Sequence, residues 1–310
     1  MSSSQESEQA APRAGLAAMS ETMPATALAE PAPRLTTEAG HSSLGGHFDS
    51  NSGRLRELWE FRELLYFLAW RDVKVRYKQT ALGVVWAIIQ PLFTMLIFTF
   101  LFGRLASLPS DDVPRPVFYF SGLLPWLYIS ATVTSGAMSL LSNSNLLTKI
   151  YFPRVILPAA AAVSGLIDFV IGSVVLAALV LWYHLPVDGT ILLWPVLVVL
   201  MTMLSLGVSM FLAALNVKYR DVKYAVPFGI QLWLFITPVI YPTSMVPAKL
   251  QWLLALNPAG GIIEAFRHAI APTHPMPWSL LGISSAVTVA VFVLAYRYFT
   301  NTERGFADIM

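Results

Sequence analysis

The sequence predicts an all-α fold: a polytopic membrane protein with six transmembrane helices, an N-terminal amphipathic interface helix and a re-entrant hairpin before the last span. Three observations carry this expectation. Of the 310 residues, 56% are hydrophobic and only 12% charged, with a mean hydropathy of +0.62, whereas a soluble globular chain carries roughly 25% charged residues. The charged residues avoid apolar blocks that approach or exceed the roughly 20 residues an α-helix needs to cross a bilayer. Basic residues also gather on one side of the topology those blocks define. The chain has no cysteine, which excludes a disulfide framework, a thiolate metal site and a catalytic thiol.

Residues 1–53 are rich in Ser, Ala, Glu, Pro and Gly. They have too little apolar surface to offset the entropy of ordering, so the expectation is a disordered cytoplasmic tail, with a regulatory docking tail as the alternative. The tail lacks the basic start, apolar run and cleavage site of a secretory signal. Over 54–80 the pattern becomes helical and amphipathic. Leu55, Leu58, Phe61, Leu65 and Leu68 recur at steps of three and four, while Arg56, Glu57, Glu60, Arg62 and Glu63 occupy other faces. Trp59, Tyr66 and Trp70 are amphipathic aromatics suited to headgroup level, and Arg71, Lys74, Arg76 and Lys78 form a basic end. The helix is expected to lie along the cytoplasmic leaflet.

The membrane domain, 81–310, follows in order. Spans are expected over 83–102, 117–141, 155–183, 191–215, 225–241 and 278–299, with Pro91 kinking the first. The fifth is short and carries Pro227 and Pro238. It leads into 242–277, where 250–256 and 261–270 read as two half-helices around Asn257-Pro258. Irregular backbone at membrane depth must be buried in protein or face water, so a re-entrant hairpin is expected there. With six spans the termini share one side. That side takes sixteen of the 20 Lys and Arg, against Arg104, Arg115, Lys249 and Arg267 on the other. Both termini are therefore expected in the cytoplasm.

A phosphate loop of the pattern G-x-x-x-x-G-K-[ST] is absent, and the five histidines are scattered. The reading is no catalytic residue, no metal site and no nucleic-acid partner. Asp168 is the acidic residue well inside a span, beside Ser164, Gly165 and Gly172; it is either a structural hydrogen-bonding group or a substrate- or proton-linked one. Glu264, Arg267 and His268 share one face of the second half-helix, and either line an exit or satisfy one another. Tyr119, Trp126 and Trp233 are candidate channel rings able to stack on sugar faces, with interface anchoring or helix packing as the alternative.

Several motifs then occur in order: Trp59-Glu60-Phe61-Arg62-Glu63, Trp70-Arg71-Asp72-Val73-Lys74-Val75-Arg76-Tyr77-Lys78, Gln90-Pro91-Leu92, Phe120-Ser121-Gly122-Leu123-Leu124-Pro125-Trp126, Tyr151-Phe152-Pro153-Arg154, Asn216-Val217-Lys218-Tyr219-Arg220-Asp221 and Asn257-Pro258. From residue 54 onward the chain resembles the ABC-2 permeases that export polysaccharides, among them teichoic acid, O-antigen and capsule exporters. The resemblance implies a homodimeric channel docked on two copies of a separate ATP-binding subunit, which holds the ATP and Mg. It implies a lipid-linked polysaccharide as cargo, membrane lipid as surroundings and the bacterial inner membrane as location. It also implies a short coupling helix between spans two and three, where Lys149 and Arg154 would meet polar groups of the ATPase and Ile150, Tyr151 and Phe152 would fill a groove. An ABC-2 exporter of drugs or lipids is the alternative. A membrane-embedded glycan-processing enzyme would need a converging cluster of carboxylates or histidines.

Overall fold

The computed structural model describes residues 59–78, 83–147, 149–273 and 275–303. The chain divides into two units, Met1–Phe48 and Asp49–Met310, and the described residues belong to the second. The tail 1–53, the first turn of the expected interface helix and Arg304 lie outside them.

The described residues form helices and no strands. The interface helix is α1, Arg62–Lys78. The first span is α2, Val85–Phe98, which continues as a π-helical turn over Thr99–Leu105. That turn ends where Ala106 N–H donates to Leu101 at 2.9 Å and Leu108 N–H to Phe102 at 2.9 Å. The second span is α3, Arg115–Ser142, opened by Pro114 and Pro116 in the positions that need no helical N–H donor. A single turn, α4, Ser144–Leu147, precedes α5, Ile156–Trp182. A 3₁₀ turn at Gly189–Leu193 leads into α6, Trp194–Lys218. Then come α7, Val222–Ile236, α8, Gln251–Leu256, α9, Pro258–Ile270, and α10, Trp278–Glu303.

Five helical segments are long and apolar enough to cross a membrane, and α7 is shorter. The fifth span was expected to reach 241, yet α7 stops at Ile236. Pro238 disfavours a helical conformation at the residue before it, and Thr237 is accordingly extended at φ −88, ψ 137. The second half-helix begins three residues earlier than expected, because Pro258 is placed in the first turn and the Asn257 side chain accepts from Ala259 N–H at 3.3 Å.

The helix α3 is central. Of its apolar window 78% is buried within the chain, against 6% for the segment containing α2 and 17% for α10. It packs against α5, α6, α9 and α2, while α10 lies mainly on α6 and α9. One apolar cluster, with Phe152, Ile156, Ala213 and Phe299, takes Leu68 and Ala69 of α1 and marks one end of the molecule. At the opposite end the Ser244 hydroxyl donates to Asp111 at 2.8 Å, joining the loop after α2 to the loop after α7. Between α8 and α9, Asn257 bonds Trp233 and Thr237, whereas Arg267 of α9 reaches Pro238 and Val239 beside Gly122.

Close helix approach rests on small residues. A Cβ on Gly207 of α6 would lie 3.0 Å from the Phe292 Cα of α10. Gly207→Val is therefore expected to destabilise the chain by about 1–3 kcal/mol through overpacking. Gly282→Ala, where a Cβ meets nothing within 4 Å, should be neutral or stabilise by about 0.5–1 kcal/mol. Thermal unfolding of the purified variants in detergent checks both.

Candidate functional site

Three places gather the chemistry. The first is the turn after α4. The expected coupling helix is only Ser144–Leu147, and 149–153 is not helical. Lys149 and Ile150 are exposed and Tyr151 is 86% exposed, but Phe152 is 3% exposed, packed with Leu68, Leu140 and Val155. Arg154 turns inward: its backbone N–H donates to Glu303 Oε1 at 2.9 Å and its Nη1 to the Glu303 carbonyl at 2.5 Å. Phe152 and Arg154 thus hold the turn onto the bundle, and its outward apolar groups are Ile150 and Tyr151.

The second place is a cleft between α1, α3 and α5. Arg76 Nη1 pairs with Asp168 Oδ2, and the Tyr77 hydroxyl donates to Asp168 Oδ1. Asp168 lies about 18 Å along α5 from Ile156 at 1.5 Å per residue. The end of α1 therefore meets α5 about three turns past the start of that helix. Two cation side chains brace rings, Arg62 over Trp59 at 5.2 Å and Lys74 over Trp70 at 5.7 Å, and Arg71 pairs with Asp72 at 2.9 Å. Arg76 stands between a recess of about 470 Å³ lined by Arg71, Ser135, Ser139 and Ser142, and one of about 410 Å³ lined by Trp86, Gln90, Tyr128 and Asp168. Ser135, Ser139 and Ser142 share a face of α3. Their hydroxyls donate to Ala131, Gly136 and Met138 carbonyls at 2.7, 2.7 and 3.0 Å, which leaves acceptor oxygens toward the recess. Burial, then the bond to Asp168, pushes the Tyr77 phenol up to about 12, so it stays a neutral donor across ordinary pH.

The third place is a cavity at the opposite end, bordered by Asp111, Ser244, Trp252, Glu264 and Arg267. Arg267 is 4% exposed. Its Nη1 donates to Glu264 at 2.7 Å, its Nη2 to the Pro238 and Val239 carbonyls at 3.0 and 3.3 Å, and its guanidinium lies 4.0 Å over the Phe118 ring. Glu264 and Arg267 thus satisfy one another and border the cavity at once. Of the candidate channel rings, Tyr119 and Trp126 are buried within the chain at 0% and 4% exposure, and Trp126 meets Trp233 edge-to-face at 5.6 Å. Tyr119 and Trp126 pack the interior of the chain. Among the described residues no three His, Asp or Glu side chains come together as metal ligands do.

The profile of the ABC-2 type transporter family matches residues 63–271, which takes in α1 through α9. The chain belongs to the ABC-2 type transporter family. It is 33% identical over 259 residues to the O-antigen export system permease protein RfbA of Myxococcus xanthus, covering 82% of this chain and 98% of that one. It is 26% identical over 251 residues to a protein of the same description from Klebsiella pneumoniae, covering 80% and 95%. The polysialic acid transport protein KpsM of Escherichia coli is 22% identical over 237 residues, covering 73% and 90%.

Sequence reasoning about this ABC-2 permease missed four participants. Tyr77 sits next to Arg76 in the basic run, and its hydroxyl was readable as a second donor to any acid Arg76 found. Glu303 ends α10 and carries no local pattern. Trp252 and Asp111 lie in segments that only the fold brings together.

The Arg76–Asp168 pair predicts non-additivity. Asp168→Leu alone leaves a guanidinium without its carboxylate and should destabilise more than the double variant Arg76→Met/Asp168→Leu, as measured by thermal unfolding in detergent. Tyr77 adds a pH signature. Its folded pKa lies above the unfolded value of about 10, so its contribution is complete below about pH 10 and is lost as pH rises toward 12. Tyr77→Phe should remove that part of the alkaline stability profile.

Proposed function

We propose that the chain is the membrane-spanning permease of an exporter that carries a lipid-linked polysaccharide across the bacterial inner membrane. Two copies form the path, and two copies of a separate ATP-binding subunit, holding ATP and Mg, drive it. The observation that carries this reading is 33% identity to an O-antigen export permease over 82% of the chain. Relatives named for O-antigen and for polysialic acid favour a glycan cargo over a drug or lipid.

The physical features agree with each part. The faces of α2, its π-helical continuation and α7 expose Phe93, Leu96, Phe100, Tyr224, Phe228 and Phe235; apolar faces of this kind suit lipid or a second copy. The turn with exposed Ile150 and Tyr151 stands at the same end as α1, the end rich in basic residues, and so belongs to the cytoplasmic face. It is the docking point for the ATPase: an exposed ring at a protein interface contributes more than an exposed charge. On the external face, α8 and α9 re-enter as a hairpin before the last crossing.

In cells lacking the chain, the surface glycan should disappear and the lipid-linked glycan accumulate inside; wild-type chain with its ATP-binding subunit should restore display. An unchanged surface after deletion would overturn the reading. Ile150→Ala/Tyr151→Ala should lose copurification of the ATPase and glycan display with the chain still inserted, whereas Phe152→Ala should lower thermal stability. The cysteine-free background allows single-site labelling. A cysteine at 249 should react from outside and one at 218 should not.

A further inference from the structure

The cavity at the end opposite α1 has a volume of about 400 Å³, within the range of roughly 300–1,000 Å³ of small-molecule sites. Segments far apart in sequence build it: the loops after α2, α7 and α9, the α8–α9 pair, and the first turns of α10. Asp111 is held there at φ 48 with its Oδ1 accepting from Ser244 Oγ at 2.8 Å. Asp is among the few residues that adopt this left-handed conformation at modest cost.

The lining has a particular chemistry. Trp252 is 61% exposed and opens onto the cavity beside Gln251. Trp278 is equally exposed at 61% and does not border it, so it behaves as an ordinary interfacial ring. Glu264 gives one carboxylate oxygen to Arg267 at 2.7 Å, and its other oxygen still accepts. The ionisable lining is two carboxylates, Asp111 and Glu264, one guanidinium, Arg267, and the His268 imidazole, so no large excess of either sign selects a strongly charged ligand. An indole face beside carboxylate, amide and hydroxyl groups, with nearly balanced charge, matches a polyol with one apolar face. A pyranose ring is such a molecule: its axial C–H bonds stack on the ring and its hydroxyls bond to the acceptors.

We infer that this cavity is a saccharide-binding subsite for one or two sugar residues of the transported glycan, with Trp252 as the stacking platform and Asp111, Glu264 and Gln251 as hydroxyl partners. The inference rests on the glycan-export reading and adds to it a place where the chain holds the polymer at the external mouth. Desolvated aromatic anchors carry much of the free energy of such contacts.

The test uses the full chain in nanodiscs and an oligosaccharide released by mild acid from the surface glycan of the cells that carry it, with saturation-transfer NMR as readout. Binding to wild type is expected. Trp252→Ala should weaken it about tenfold, about 1.4 kcal/mol, Trp252→Phe should restore part, and Trp278→Ala should match wild type. Thermal unfolding identifies any variant that has lost its fold, and Gln251→Ala then serves in place of Trp252→Ala. No binding to wild type, unchanged binding in Trp252→Ala and Gln251→Ala, or equally tight binding of a monosaccharide absent from the glycan would each overturn the subsite. Failure of the wild-type chain to restore surface glycan is a separate result and overturns the export reading instead.

Discussion

Where α8 stops and α9 starts, backbone groups at the two helix ends have no intrahelical partner, and much of the architecture follows from satisfying them and the broken chain after α7. Asn257 serves the elbow. Its Oδ1 accepts from Ala259 N–H at 3.3 Å and Trp233 Nε1 at 2.9 Å, and its Nδ2 donates to Thr237 Oγ1 at 2.9 Å. Arg267 serves the broken strand of chain after α7 by donating to the carbonyls of Pro238 and Val239. A buried guanidinium is costly unless paired; Glu264 pairs with Nη1 and the Phe118 ring lies against the guanidinium, while Nε has no hydrogen-bond partner among the described residues.

The same guanidinium dictates a residue on another helix. A Cβ on Gly122 would stand 2.8 Å from Arg267 Nη2 and 3.2 Å from the Val239 carbonyl. The Phe-Ser-Gly-Leu-Leu-Pro-Trp motif is thus a seat: its glycine admits the guanidinium, and its tryptophan, Trp126, meets Trp233 beside the Asn257 elbow. Burial of α3 on nearly every side is the consequence, since α5, α6, α9 and the end of α7 all lean on it.

Hydropathy made the long spans legible because their constraint is local: a bilayer thickness sets a length, and charge sets its limits. The half-helices were legible for a related reason, as Pro238 and Pro258 disfavour helical backbone at the residue before them, and Thr237 and Asn257 are both extended. The site was less legible. Tyr119 and Trp126 look like amphipathic rings in any window, and only the packing of α2 and α7 against α3 sets Tyr119 against Phe98 and Trp126 against Trp233. Phe152 and Tyr151 are adjacent and chemically alike, yet one is buried under Leu68 and the other exposed, a difference decided by where α1 lies. Asp168 was recognisable as costly in isolation, but its partners stand about ninety positions away, at the end of a helix whose tilt no local pattern encodes.

The longest-range link is the one between Arg154 and Glu303. It fastens the turn carrying Ile150 and Tyr151 to the last residue of α10, a helix about 39 Å long at 1.5 Å per residue. The first turns of that helix, at Ser279, Leu280 and Ile283, border the cavity at the other end. Between them, Gly207 and Gly261 bring α6 and α9 against it, with hypothetical Cβ atoms only 3.0 Å from Phe292 Cα and 2.8 Å from the Leu280 carbonyl. Contacts that close leave little room for a helix to slide independently of its neighbours. The turn on one face and the cavity on the other are therefore attached to the two ends of a single, tightly packed rod.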